Sequence, residues 1–298
     1  MQKNVVCVLP TNLCGAEERG CPLCSGLKLK TLSEHNGKQL RRCVHCGASF
    51  VLPQPEPSAI TAHFEGSQTL CEADLDTKFE RNREPVLARV ADFIQKRKRE
   101  GFILDVGCAT GFFLARFFPK TKWQVWGIEL SRQAAGKAVR KGIRVHQGNI
   151  YEANFPDGFF DVVSVIDTFY YFLKPQLELA EFRRVLKPDG MLVLELPLGA
   201  SRVWRTSNQL GKLLSGVHRQ LIESSDHLFY YNPKSIRFFL EKYGFKVQTI
   251  LPLPGNRQEH FVRNLIYRVY SFVSLGLHSV SRSNVFLGPR FLVVAYKS

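Results

Sequence analysis

Ile103-Leu-Asp-Val-Gly-Cys-Ala-Thr-Gly-Phe-Phe-Leu114 decides the fold. An apolar run suited to a buried strand enters a turn marked by Gly107 and Gly111 and opens into a helical pattern. Glycines there let the backbone come close to a ligand at the carboxyl end of the strand. The same glycines also suit a plain strand–helix turn, so the loop by itself leaves both readings open. Trp126-Gly-Ile-Glu129 then sets an acid at the end of a second strand-like run, 18 positions beyond Gly111. A carboxylate at that place can accept hydrogen bonds from both hydroxyls of a ribose; the plain alternative is a solvated strand-end acid. The loop is neither G-x-x-x-x-G-K-[ST] nor G-x-G-x-x-G. With fewer amides to offer a pyrophosphate, it suits a ligand that has none.

Outward from this stretch, strand-like and helical patterns alternate. Strand-like runs cover residues 102–106, 124–129, 143–146, 160–166 and 191–196, with helical patterns at 133–141 and 177–186. This spacing predicts an α/β chain with a parallel sheet covered on both faces. Upstream, 58–101 reads as mostly helical. Val86, Leu87, Val90, Phe93 and Ile94 form one face, and Lys96-Arg97-Lys98-Arg99 closes the helix where cations suit its dipole. That basic run reads as a solvated helix end or as an anion site. Downstream come a basic stretch at 201–219, a helix at 233–243 stopped by Gly244, and strands at 245–251 and 290–296. Residues 262–280 form an amphipathic helix, to be packed on the core or laid on an anionic membrane surface.

Cys21-Pro-Leu-Cys24 and Cys43-Val-His-Cys46 are two C-x-x-C pairs at the separation of a zinc ribbon. Four thiolates satisfy a tetrahedral ion and leave no open position, which makes the metal structural. Two redox dithiols or four buried thiols are the alternatives. His35 and His45 are substitute ligands on residue type, although His45 lies inside the second pair. Cys7, Cys14, Cys71 and Cys108 have no partner at ligand spacing. The expected organisation is an irregular segment at 1–20, the ribbon at 21–57 ending in a stiff alternating-proline linker, and one large domain at 58–298.

The chain has 298 residues and is 45% hydrophobic, which excludes a mostly disordered protein. It shows no apolar run long enough to cross a membrane as a helix, and residues 1–20 lack the apolar stretch of a signal peptide. A reducing, cytoplasmic setting is the expectation. With 41 Lys and Arg against 26 Asp and Glu, the formal net charge is +15. Such a surface favours acidic partners: nucleic acid, phosphorylated metabolites or anionic lipid.

The stretches ILDVGCATGFFL, WGIELS, HQGNI, FDVVSVIDTFYYF and RVLKPDGMLVLELP, in this order, resemble the class I S-adenosylmethionine-dependent methyltransferases. Together with the ribbon, the proline linker and DHLFYYNPKSIRFFLEKYGF, they resemble a bacterial subgroup with an N-terminal zinc ribbon. The resemblance implies a Rossmann-like seven-stranded sheet. It implies that Asp105, Gly107 and Gly111 surround the methionine part of the cofactor, Asp105 alternatively bracing the loop. Glu129 would hold the ribose, Asn149 and Ile150 meet the adenine, and Asp167 and Thr168 face the sulfonium. Ala109 stands where a second glycine is usual, Asn149 where an aspartate is common, and Asp167-Thr-Phe-Tyr-Tyr171 replaces a segment that often carries histidine and glutamate. His227 is the candidate general base, or else a loop brace. The implied function is methyl transfer to a small-molecule, sugar or nucleotide-linked acceptor. The alternatives are an RNA methyltransferase gripping phosphates with ribbon and basic surface, and a non-catalytic cofactor-binding scaffold.

Overall fold

A computed structural model describes residues 20–35, 37–65, 73–118, 122–198, 227–256 and 289–298. The basic stretch at 201–219, the helix expected at 262–280, Cys7, Cys14, Cys71 and nearly all of 1–20 lie outside the described residues.

Two sheets organise the chain. The small one is built from β1 (Leu29–His35), β2 (Lys38–Cys43) and β3 (Ser49–Leu52), antiparallel in that order. The large one has seven strands: β4 (Gly101–Val106), β5 (Trp123–Glu129), β6 (Arg144–Gln147), β7 (Phe160–Ile166), β8 (Leu186–Pro197), β10 (Phe245–Leu253) and β11 (Arg290–Lys297). Their spatial order is β10-β11-β8-β7-β4-β5-β6. Strands β6, β5, β4, β7 and β8 are mutually parallel, while β11 runs antiparallel to both β8 and β10. This is the Rossmann-like seven-stranded sheet that the resemblance implied; β11 departs from the all-parallel sheet the alternating pattern predicted. After β4 the chain crosses to β5 on one side, and β7 lies on the other. A crevice therefore opens at the carboxyl end of β4, where ligands bind in such sheets.

Consecutive side chains of β4 serve opposite faces. Ile103 packs with one hydrophobic cluster, and Leu104 and Val106 with the other. The first cluster is covered by α2 (Ala73–Arg97), through Val86, Leu87, Val90, Ala91 and Ile94, and by Ala138 of α3 (Arg132–Arg140). The second is covered by α4 (Pro175–Val185) and α5 (Pro233–Lys242), through Leu179, Phe182, Ile236, Phe239 and Leu240. Ser131 caps α3 by accepting from Ala134 N–H, and Asn232 with Ser235 forms a capping box on α5.

The helical reading of 58–101 includes α2, which has Pro85 inside it. An interior proline forfeits one N–H donor and crowds the carbonyl one turn earlier, a cost offset here by the packing of Val86, Leu87 and Val90 in the core. Two features differ from the sequence expectation. Pro57, read as the end of the linker, instead opens a short helix, α1 (Pro57–Glu65). The ribbon is not a separate module. Strand β9 (Phe229–Tyr230) pairs with β3 as a fourth strand of its sheet, and Cys21, Leu23, Cys43, Cys46 and Phe50 share one core with Phe229, Tyr231 and α5. A ribbon with little apolar surface of its own is thereby buried against the large domain.

Candidate active site

The crevice beyond β4 is a cavity of about 650 Å³, within the range of small-ligand sites. Its floor is the glycine loop. Gly107 has φ +77°, and a Cβ there would lie 2.5 Å from Thr168, so this turn admits only glycine. Gly107 and Cys108 both donate their N–H to Ile128 O, at 2.8 and 3.0 Å, which ties the loop to β5. Ala109, at φ +47°, holds the same left-handed turn with a methyl side chain. Gly111 does not line the cavity. Its missing side chain makes room for Ile143 and Ala138, so its role is helix packing.

Two carboxylates flank this floor. Glu129 accepts from Ala109 N–H at 2.8 Å and from Ser131 N–H at 2.9 Å, so its carboxyl joins the glycine loop to the start of α3. Burial raises its pKa, and these N–H donors oppose the rise. Asp105 accepts from Ser164 Oγ at 2.7 Å. Burial pushes its carboxyl up to about 8, Ser164 opposing and the charge of Glu129 adding. Cys108 fills the space left by Gly127, and its thiol is pushed well up by burial.

Asn149 and Ile150 line the cavity beyond Glu129. The Asn149 side-chain carbonyl is already engaged: it accepts from Tyr151 N–H at 3.0 Å and from Glu152 N–H at 3.2 Å.

Asp167 and Thr168 also line the cavity, but Asp167 is committed to a network. It pairs with Arg83 at 3.2 Å and with Arg290, and it accepts from Tyr170 Oη at 2.6 Å. Glu195 completes the square by accepting from Arg83 at 2.7 Å and from Arg290. Two acids face two guanidiniums, which offsets the cost of burying all four. Burial alone would raise the Asp167 pKa, but Arg290 and Arg83 hold it well below the usual carboxylate range. The sequence did carry one signal for this network: Glu195 stands alone in the apolar run MLVLELP, and a buried charge requires a partner. Arg83 gave no such signal, because a lone arginine in a helical stretch reads as solvated. Glu80 and Arg83 of α2, Glu178 of α4, and Ile60, His63 and Phe64 of α1 are further wall residues that sequence reading missed.

His227 is not among the residues lining the cavity. Its ring lies on Tyr170, with centroids 3.8 Å apart, and also neighbours Tyr171 and Tyr230. Its position is that of a brace behind the aromatic wall. The neighbouring backbone links that wall to the ribbon: Leu228 N–H donates to Tyr170 O at 3.1 Å, and Val51 N–H donates to Leu228 O at 3.0 Å. Asn232 Nδ2 donates to Gly47 O at 2.9 Å, just after the second C-x-x-C pair.

In the ribbon, the Cys21 and Cys46 sulfurs are 3.7 Å apart and those of Cys24 and Cys43 are 3.5 Å apart, with all four within 4.8 Å of one another. Zinc–sulfur bonds of about 2.3 Å give tetrahedral edges of about 3.8 Å. The donor set fits such an ion, and Gly26 N–H points at Cys24 Sγ from 3.4 Å. His45 packs its ring edge on Phe238 and is not part of the cluster.

A sheet in this strand order, with a glycine loop and a strand-end acid at its crevice, defines the fold of the class I S-adenosylmethionine-dependent methyltransferases. The chain belongs to the methyltransferase-domain family, which matches residues 79–250, more than half its length. It is 29% identical over 169 residues to a probable methyltransferase of Aspergillus luteorubrus, covering 51% of this chain and 58% of that protein. It is 35% identical over 108 residues to demethylmenaquinone methyltransferase of Deinococcus radiodurans, covering 33% of this chain and 44% of that one. The chain thus spans about half the length of these relatives. Among solved structures, it resembles geranyl diphosphate C-methyltransferase of Streptomyces coelicolor A3(2), determined with Mg2+, geranyl diphosphate and S-adenosyl-L-homocysteine. That likeness has a TM-score of 0.53 at 14% identity, covering 82% of this chain and all of the other, and is one of fold. No helix among the described residues is long and apolar enough to cross a membrane.

Proposed function

We propose that the chain is an S-adenosylmethionine-dependent methyltransferase whose acceptor is a small, mainly apolar molecule without a phosphate group. The observation that carries this reading is the pair of buried carboxylates, Asp105 and Glu129, flanking the glycine loop. Burial disfavours their charge, and a ligand bearing a sulfonium and an ammonium compensates it. When bound, S-adenosylmethionine supplies an electrophilic methyl group. The remaining work falls to this chain. The outer lone pairs of Glu129 accept from the ribose hydroxyls, the backbone at 107–109 accommodates the methionine end, and Ile150 packs on the adenine. Asp167 and Thr168 sit at the sulfonium end, Asp167 as an anion fixed by Arg83 and Arg290.

The acceptor side is argued from the wall. Ile60, Phe64, Tyr171, Phe172 and Leu173 present apolar surface. Among the described lining residues, Glu80, Asp105, Glu129, Asp167 and Glu178 are acidic, against the single guanidinium of Arg83. The one guanidinium of this lining is committed to Asp167 and Glu195, so the described lining residues offer a phosphate no uncommitted guanidinium or ammonium. This weighs against the nucleotide-linked acceptor and against RNA entering the cavity. The quinone methyltransferases among the relatives, by their names, point the same way. The imidazole on the wall is His63, which replaces His227 as the candidate base for a hydroxyl or amine acceptor. His227 acts by steadying Tyr170. The four ribbon thiolates hold a structural zinc ion.

Calorimetry with S-adenosylhomocysteine, followed by methyl transfer from labelled cofactor to matched acceptors with and without a phosphate, tests this reading. One bound nucleoside per chain and transfer to phosphate-free phenols or quinols are expected. Transfer confined to phosphorylated acceptors or RNA overturns the acceptor class.

A further inference from the structure

One face of the ribbon is turned to solvent, away from the cavity. Between β1 and β2, Lys30 stands directly across from Arg42. The ladder continues outward: Val44 N–H donates to Lys28 O at 2.9 Å, which sets Val44 across from Lys28. Side chains 28, 30, 42 and 44 therefore share one face, while Leu29 and Cys43 between them turn to the common core. All four are exposed. Like charges directly opposite in a ladder repel, so Lys30 and Arg42 cost the ribbon stability. Residues 20–52 hold five Lys and Arg against one acid, Glu34, which accepts from Gln39 at 3.0 Å. Nothing within the ribbon offsets this charge.

Apolar side chains protrude beside these cations. Leu27 is 76% exposed and Val44 66%, the two most exposed large apolar side chains among the described residues. Protruding apolar groups among Lys and Arg suit the surface of an anionic bilayer, where the headgroup phosphates meet the cations and the apolar tips enter the acyl boundary. Other partners fit less well. Single-stranded RNA needs aromatic platforms for its bases, and Phe50, the one Phe, Tyr or Trp of residues 20–52, is buried. A protein interface has an apolar centre and a polar rim, whereas cations hold three of the four central places here. A second copy of this chain would bring the same charges.

We propose that this face, formed by Leu27, Lys28, Lys30, Arg42 and Val44, docks the protein on an anionic lipid surface. The site is separate from the cavity and does not depend on the cofactor reading.

The test is flotation of the zinc-loaded full chain with two kinds of vesicle, one of phosphatidylcholine alone and one containing about one-third phosphatidylglycerol. Binding to the anionic vesicles and little to the neutral ones is expected. Each cation near such a surface is worth about fivefold in affinity, so Lys28→Gln/Lys30→Gln/Arg42→Gln is expected to bind about 100-fold more weakly. Leu27→Ser/Val44→Ser is expected to lose about 10-fold or more. All five positions are exposed, and the first variant also removes the Lys30–Arg42 repulsion, so both keep the fold. Lys96→Gln/Arg99→Gln/Lys246→Gln removes as much charge from exposed positions elsewhere and is expected to stay within about threefold of the wild type. A wild type that ignores anionic vesicles overturns the proposal, as does a control that falls as far as the ribbon variant. A serine variant that binds like the wild type shows a face for a plain polyanion such as RNA or an acidic protein, and overturns the lipid assignment.

Discussion

Replacing Asp167 by asparagine keeps the shape of the site and removes one charge from the square it forms with Arg83, Glu195 and Arg290. Two guanidiniums, both nearly buried, then share only Glu195. Breaking a buried ion pair from one side costs about 3–5 kcal/mol. The Asp167 side chain is 20% exposed toward the cavity, so its charge is partly hydrated and about 2–4 kcal/mol is the better figure. For a domain of this size that is a fall in Tm of about 4–16 °C. Because its folded pKa is depressed, the stabilisation from Asp167 is complete above the unfolded value of about 3.9 and is lost as pH falls through the folded one. The gap between wild type and Asp167→Asn is therefore widest at neutral pH and closes on acidification below about pH 4. Thermal melts of both proteins from pH 3 to 7 measure it. Asp189→Asn is the control: its salt bridge to Lys98 at 2.7 Å is on the surface, and its loss changes stability by no more than about 1 kcal/mol. A neutral-pH Tm of Asp167→Asn within 2 °C of the wild type refutes the network as a determinant of this wall.

Other substitutions probe separate parts of the account. Gly107→Ala, with φ +77° and Thr168 2.5 Å from the new methyl, is expected to destabilise by about 2–4 kcal/mol and to weaken S-adenosylhomocysteine binding, read by melting and calorimetry. His227→Ala is expected to lose about 1 kcal/mol through the missing ring contact with Tyr170, and His227→Phe to restore most of it. A phenylalanine variant as unstable as alanine removes the brace. Stripping zinc is expected to raise amide exchange at 228–230 and 167–172, through the Val51–Leu228–Tyr170 hydrogen bonds, before the glycine loop is affected. Exchange confined to residues 21–52 contradicts that coupling.

The parts of this protein that could be read from its sequence are those governed by local periodicity. Leu104 and Ile103 alternate between two cores because strands have a period of two, and the strands flanking the glycine loop appeared where apolar runs stood. Glu129 and the C-x-x-C pairs were readable because a short backbone turn sets where their ligand atoms sit. Of the cavity wall, the resemblance placed Asn149, Ile150, Asp167 and Thr168, but not the network behind Asp167. Arg83, Asp167, Glu195 and Arg290 come from four distant segments, and no spacing announces such a group. His227 sits in a suggestive DHLFYY context, yet the segment that follows it pairs Phe229 and Tyr230 with the ribbon, and its ring lies on Tyr170. Gly111 looked like a ligand contact because its left-handed turn serves packing and binding equally well in sequence.

The central claim is that the adenosyl group of the cofactor is held through its ribose at the end of β5 by Glu129. Titrating S-adenosylhomocysteine into the zinc-loaded chain and its Glu129→Ala variant asks this directly. One site per chain is expected for the wild type, with affinity about 10–100-fold lower in the variant, the worth of its charge-assisted bonds to the ribose. Equal affinities in the two proteins would contradict it.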